Sequence, residues 1–141
     1  MPILFPRNTA STTTSQKSTI DLIADGADIA IHKLVYKSDA GKIKEADSAA
    51  KITARVIGIT TEAITDGNPG TVQTYGEYEN GAWAFDGTSN ARLYLSETGT
   101  GTLSETAPTT SAEWQNSPAY ILSATKAFID PRPDVVTEVL A

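Results

Sequence analysis

The sequence predicts an all-β fold, a small antiparallel β-barrel or sandwich carrying an extended N-terminal arm. Two observations point there. From Lys51 to Thr106 the chain alternates between β-forming runs and turn residues almost throughout, and strands spaced this closely indicate a sandwich or a barrel. Within that stretch Asn80-Gly81 is the strongest short hairpin signal, because the tight hairpin turn needs φ > 0 at both central positions.

Residues 1–16 read as the arm. Pro2 and Pro6 bracket Ile3, Leu4 and Phe5; a proline has no ladder donor and biases its predecessor to extended backbone. Asn8 to Gln16 has no apolar side chain larger than Ala, too little to offset its own ordering entropy. The pair reads as an apolar hook on a polar tether, with Ile3, Leu4 and Phe5 as anchors.

Residues 17–130 form the β domain. Ser18 to Ile23 is a strand, and Asp25-Gly26 a turn. Ile29 to Tyr36 is rich in β-formers, with a bulge expected near His32-Lys33 where alternation fails. Ser38 to Gly41 is a turn, Lys42 to Lys44 a return strand, and Glu45 to Lys51 one helical turn, since Ala, Glu, Asp and Ser dominate it. Arg55 to Thr60 is strand, and Gly58 inside it marks a bulge or the close approach of another backbone. Val72 to Tyr78 alternates as a half-buried strand does, and the Asn80-Gly81 turn would pair Tyr75–Glu79 with Ala82–Phe85. Leu93 to Leu95 is a strand, extended by Leu103-Ser104. Ala107 to Pro118 is a loop holding Trp114, and Ala119 to Ile129 is the last long strand. Trp83, Phe85, Leu93 and Leu95 are the expected core. Residues 131–141 are a tail whose Val135, Val136, Val139 and Leu140 suit docking as a strand or a helical turn.

Composition narrows the partners. The 141 residues fit one domain. The apolar share is 40%, below the usual ~45–50%, as expected for a modest core with polar arms or for an oligomer that completes its core between subunits. The net charge of −6, without a local basic stripe, argues against direct nucleic-acid binding and against anionic membranes. No run approaches the ~20 apolar residues of a membrane helix, and the N-terminal run is too short and proline-broken for a secretory signal. The expectation is a soluble protein made in the cytosol. There is no cysteine, so disulfides and thiolate metal sites are excluded.

Candidate chemistry is sparse. His32 is the single histidine, and no nucleophile motif, H-E-x-x-H or phosphate-cradling loop accompanies it. Glu77 and Glu79 share a strand face, where two carboxylates repel, as is tolerable in water. Asp66-Gly67-Asn68 and Asp86 to Asn90 offer loop oxygens of the kind calcium prefers, and are equally ordinary turn composition. No enzyme activity, cofactor or metal is expected. Tyr75, Tyr78, Trp83, Phe85 and Tyr94 cluster in sequence. Exposed Tyr or Trp rings stack on sugars or anchor protein interfaces.

Further residues carry a family likeness. Ala54-Arg55-Val56-Ile57-Gly58-Ile59, then Val72-Gln73-Thr74-Tyr75-Gly76-Glu77-Tyr78, Trp83-Ala84-Phe85-Asp86-Gly87 and Leu93-Tyr94-Leu95-Ser96-Glu97-Thr98-Gly99-Thr100-Gly101-Thr102-Leu103-Ser104 resemble the capsid decoration (cement) and head-fibre-type proteins of tailed bacteriophages. Gly26 to Ile29 and Leu34 to Tyr36 also fit, so the likeness covers roughly residues 26 to 125. Ser104 stands where the family pattern has threonine, and an additional Thr-Gly widens the turn before Leu103. The resemblance implies a β-barrel or β-tulip domain on the outer surface of an icosahedral head, bound to the major capsid protein, often as a homotrimer, with an arm reaching across neighbouring subunits. The alternative expectation is a receptor- or carbohydrate-binding module of a tail fibre or baseplate, with Tyr75, Tyr78 or Trp114 exposed on one face.

Overall fold

The computed structural model of the chain describes residues 16–140. Those residues form eleven strands and no helix: β1 (Ser18–Ala24), β2 (Leu34–Asp39), β3 (Lys42–Glu45), β4 (Val56–Thr60), β5 (Pro69–Glu79), β6 (Arg92–Leu95), β7 (Leu103–Ser104), β8 (Trp114–Gln115), β9 (Ala119–Ser123), β10 (Lys126–Ile129) and β11 (Thr137–Glu138). The fold is the expected all-β one. Strands β1, β3, β2, β4 and β5 are hydrogen-bonded in that order, and β5 closes back onto β1. This makes a five-stranded barrel, antiparallel except where β1 runs parallel to β3.

β5 is the hinge of the architecture. Its first part pairs with β1, Leu22 opposite Gly70 and Ser18 opposite Tyr75. Its last part pairs with β10, Ile129 opposite Gly76 and Lys126 opposite Glu79. From β10 the sheet continues through β9 and β6 to β7. A barrel and a flanking sheet thus share one long strand.

The two parts hold separate cores. Leu22, Ala24, Ile29, Val35, Ile43, Ile64 and Val72 fill the barrel, with Ile57 against them. Leu34, Val56, Ile59 and Tyr78 instead pack against Leu93, Leu95, Ile121 and Ile129 of the sheet. Successive strand residues point to opposite faces, so Leu34 and Val35, both fully buried, serve one core each. Of the expected core set, Leu93 and Leu95 are fully buried, while Trp83 and Phe85 are half-buried against the same cluster.

Four expectations need correction. Ile29 to Tyr36 is not one bulged strand: His32 turns the chain at φ 68°, and β2 begins only at Leu34. Glu45 to Lys51 forms no helical turn. Asp47 engages its own surroundings instead, its Oδ1 accepting from Ala49 N–H and its carbonyl from the Thr53 hydroxyl, the local competition that keeps such residues out of helices. Asn80-Gly81 does turn the chain, with Asn80 Oδ1 accepting from Ala82 N–H, but it starts no hairpin, because β10 already occupies that edge of β5. Ala119 to Ile129 is two strands, β9 and β10, folded against each other around Ala124-Thr125.

The tail docks as the sequence suggested. β11 pairs with β8, Thr137 opposite Gln115, Val136 packs on the sheet-side core, and Asn116 Nδ2 donates to the carbonyls of Arg132 and Val135. Gly58 is a close-approach glycine: an added Cβ would meet the Gln73 carbonyl and the Val72 side chain.

Candidate functional site

Alternation along the flanking sheet sorts its side chains. Tyr78, Ala127, Ile129, Ala119, Ile121 and Leu93 turn to the core. The intervening residues must then face outward; Tyr94 on β6 is one of them, and three other aromatics, Tyr75, Phe128 and Tyr120, lie side by side. Phe128 lies opposite Tyr120 in the β9–β10 pair and opposite Glu77 in the β5–β10 pair. Its ring stacks on Tyr120, centroids 5.1 Å apart and 12° from parallel. On the other side it meets Tyr75 edge to face at 5.0 Å and 90°. The result is a row of rings across β5, β10 and β9, and Tyr75 is 42% exposed.

Charged groups frame the row. Lys126 Nζ lies 3.2 Å from Glu77 Oε1. Arg92, opposite Tyr120, donates from Nε to the Ser117 hydroxyl and from Nη2 to the Ser117 carbonyl. Aromatic rings with an arginine held rigidly beside them are the composition of protein-interface centres.

The rim of this face is also where the described chain begins. Gly76 sits at φ 107°, and an added Cβ would meet the backbone of Gln16 and Lys17. Gln16 and Lys17, the first described residues, thus pack on Gly76, with Ser18 opposite Tyr75. The predicted anchors Ile3, Leu4 and Phe5 lie outside the described residues.

The other sequence candidates scatter. Of the three proposed contact aromatics, only Tyr75 belongs to the row. Tyr78 is 7% exposed: it points into the core, its hydroxyl donating to the Thr60 carbonyl and hydrogen-bonded to His32 Nδ1. Burial pushes its pKa up to about 12. Trp114 sits on β8, half-buried against the core, with Lys51 Nζ 5.9 Å from its ring centre. Tyr120 and Phe128 were missed because Ala119–Ile129 reads as one strand. Eight residues along a strand would set them roughly 26 Å apart; the hairpin brings them face to face.

The polar candidates are engaged locally. Asp66 Oδ1 accepts from Gly26 N–H. At Asp86-Gly87 the backbone N–H groups point at the Glu105 carboxylate, a polarity suited to an anion rather than to calcium. A cleft of about 230 Å³ opens between Asp25, Asp28, Lys44 and Glu45, but Asp25 takes the Ser38 hydroxyl, Asp28 takes Asp66 N–H, and Glu45 takes the Thr100 hydroxyl. Among the described residues no group of three His, Cys, Asp or Glu is placed to hold a metal ion. No protein-family model matches the chain, and a search of curated proteins finds no match.

Proposed function

We propose that this chain is a bacteriophage capsid decoration protein. It binds the outer surface of the icosahedral head, bridges neighbouring major capsid protein subunits as a homotrimer, and acts by occupying a seam rather than by catalysis. The observation that supports this most is the outward row Tyr75–Phe128–Tyr120, on a rigid sheet and beside the root of an apolar-tipped N-terminal segment. The resemblance over residues 26 to 125 points the same way. Bridging adds buried area between capsid subunits, and many copies give avidity, so each contact can be modest.

The glycan-binding alternative draws on the same rings, but their geometry favours a protein. A sugar stacks on an open ring face. Phe128 is engaged by both Tyr120 and Tyr75, and these ring–ring contacts take up area that a stacked sugar would need. The deciding experiment is co-sedimentation of the purified protein with expanded heads, unexpanded proheads and tails. Binding to expanded heads alone is expected. Equal binding to all three, or a glycan-array signal lost on Tyr75→Ala, would overturn the reading.

A further inference from the structure

We propose that Asn80 is a self-modification site, deamidated by its own backbone. The Gly81 nitrogen attacks Asn80 Cγ, ammonia leaves, and water opens the resulting succinimide to aspartate or isoaspartate. The step balances with water as its only co-reactant. A bond forms from Cγ to the Gly81 nitrogen, the bond from Cγ to Nδ2 breaks, and the Gly81 proton departs with the amide nitrogen as ammonia. Hydrolysis then adds water across one of the two ring carbonyls.

The turn presents both partners. Gly81 is exposed, has open space where a Cβ would stand, and among the described residues no group accepts its N–H. Asn80 Oδ1 accepts from Ala82 N–H at 3.0 Å, an Asx turn that folds the side chain back over the Gly81 peptide unit. That N–H also faces the oxygen on which negative charge develops as Cγ becomes tetrahedral, the arrangement that stabilises an oxyanion. The frame is tied down: Asn80 N–H donates to the Thr125 carbonyl and Trp83 N–H to the Asn80 carbonyl. A fixed frame lowers the entropic cost of attack.

Elsewhere the same chemistry is blocked. Asn68 precedes Pro69, whose nitrogen has no proton to lose. After Asn90, the Ala91 N–H is bound to the Thr88 carbonyl. Asn116 is buried, its Nδ2 held by the carbonyls of Arg132 and Val135. Asp-Gly pairs can close the same ring, but here each glycine N–H is engaged: Gly26 by Asp66, Gly67 by the Ala24 carbonyl, and Gly87 by Glu105.

The change is felt beyond the turn. Either product adds a negative charge to a chain already at −6. Isoaspartate also routes the backbone through Cβ and Cγ and turns the Asn80 carbonyl, which accepts from Trp83 N–H, into a free carboxylate. Trp83 packs on Tyr78 and Phe85, and Phe85 N–H bonds the Ala124 carbonyl, so the disturbance reaches the hairpin that carries Tyr120 and Phe128. Asn80 converts whether or not the chain meets a capsid, so this chemistry stands or falls apart from head binding.

The full chain is incubated in mildly alkaline buffer, folded or in urea, and followed by released ammonia and by peptide mapping that separates aspartate from isoaspartate. In the folded chain Asn80 is expected to convert at least about tenfold faster than Asn90 or Asn116, and no slower than in urea. Gly81→Ala, for which the space is open, should slow it at least about tenfold. Equal rates at Asn80 and Asn90, isoaspartate at an Asp-Gly pair of the folded chain as fast as at Asn80, conversion of Asn80 in urea alone, or a rate unchanged by Gly81→Ala would overturn the proposal.

Discussion

Gly76 is the residue on which the root of the N-terminal segment depends. Its φ of 107° is one that L side chains rarely adopt, and a Cβ there would meet the Gln16 carbonyl and Lys17 Cα. Gly76→Ala should cost about 2 kcal/mol or more in urea unfolding, whereas Gly81→Ala, with open space around it, should stay within about 0.5 kcal/mol. Tyr78 sets a different dependence. Its hydroxyl proton goes to the Thr60 carbonyl, so its oxygen is left to accept from His32 Nδ1–H. With the folded pKa raised from 10.0 to about 12 by burial, the unfolded chain releases this proton first. Stability therefore falls as pH rises between those values. Tyr78→Phe should remove that component of the alkaline decline, read as urea midpoints across the range. Glu97 works at the acid end. The N–H groups of Thr110 and Thr109 hold its carboxylate below the usual range, so its contribution is present above the unfolded pKa and lost as pH falls through the lower folded one.

The β9–β10 hairpin is the element that turns scattered aromatics into a face. Tyr120 and Phe128 should couple by about 0.5–1.5 kcal/mol in a double-mutant cycle of stability; additive single effects would show that the stacked pair contributes only its area. This element was also the least legible in the sequence. Ala124-Thr125 contains none of the Gly, Pro, Asn or Asp that mark turns, and the run from Ala119 to Ile129 has β character throughout. Asn80-Gly81 misled in the opposite sense. Its local chemistry does make a turn, but pairing is decided by which strand reaches the β5 edge, and β10 arrives from some fifty residues away. Elements set by nearby residues were readable: β1, β3, β4 and β6 follow from β-forming runs between turn residues, and most of β5 from alternation. The candidate site was readable only at Tyr75, because its other two rings depend on non-local register.

At the scale of the molecule, the barrel and the flanking sheet cannot separate. β2 and β4 bury one face in each core, and β5 runs through both parts. One cooperative transition is expected by circular dichroism and tryptophan fluorescence alike. Leu34→Ala and Val35→Ala, neighbours that serve different cores, should each lower that single midpoint, by roughly 2–4 kcal/mol. Two resolved transitions would mean that the cores fold independently. The packing of Gln16 and Lys17 on Gly76 has a practical corollary for fusion design. Cargo joined directly at Gln16 would start where backbone is packed against backbone, which leaves no slack at the junction. A graft beyond β11 starts instead from the strand that pairs with β8, so display libraries built on this scaffold belong at that end.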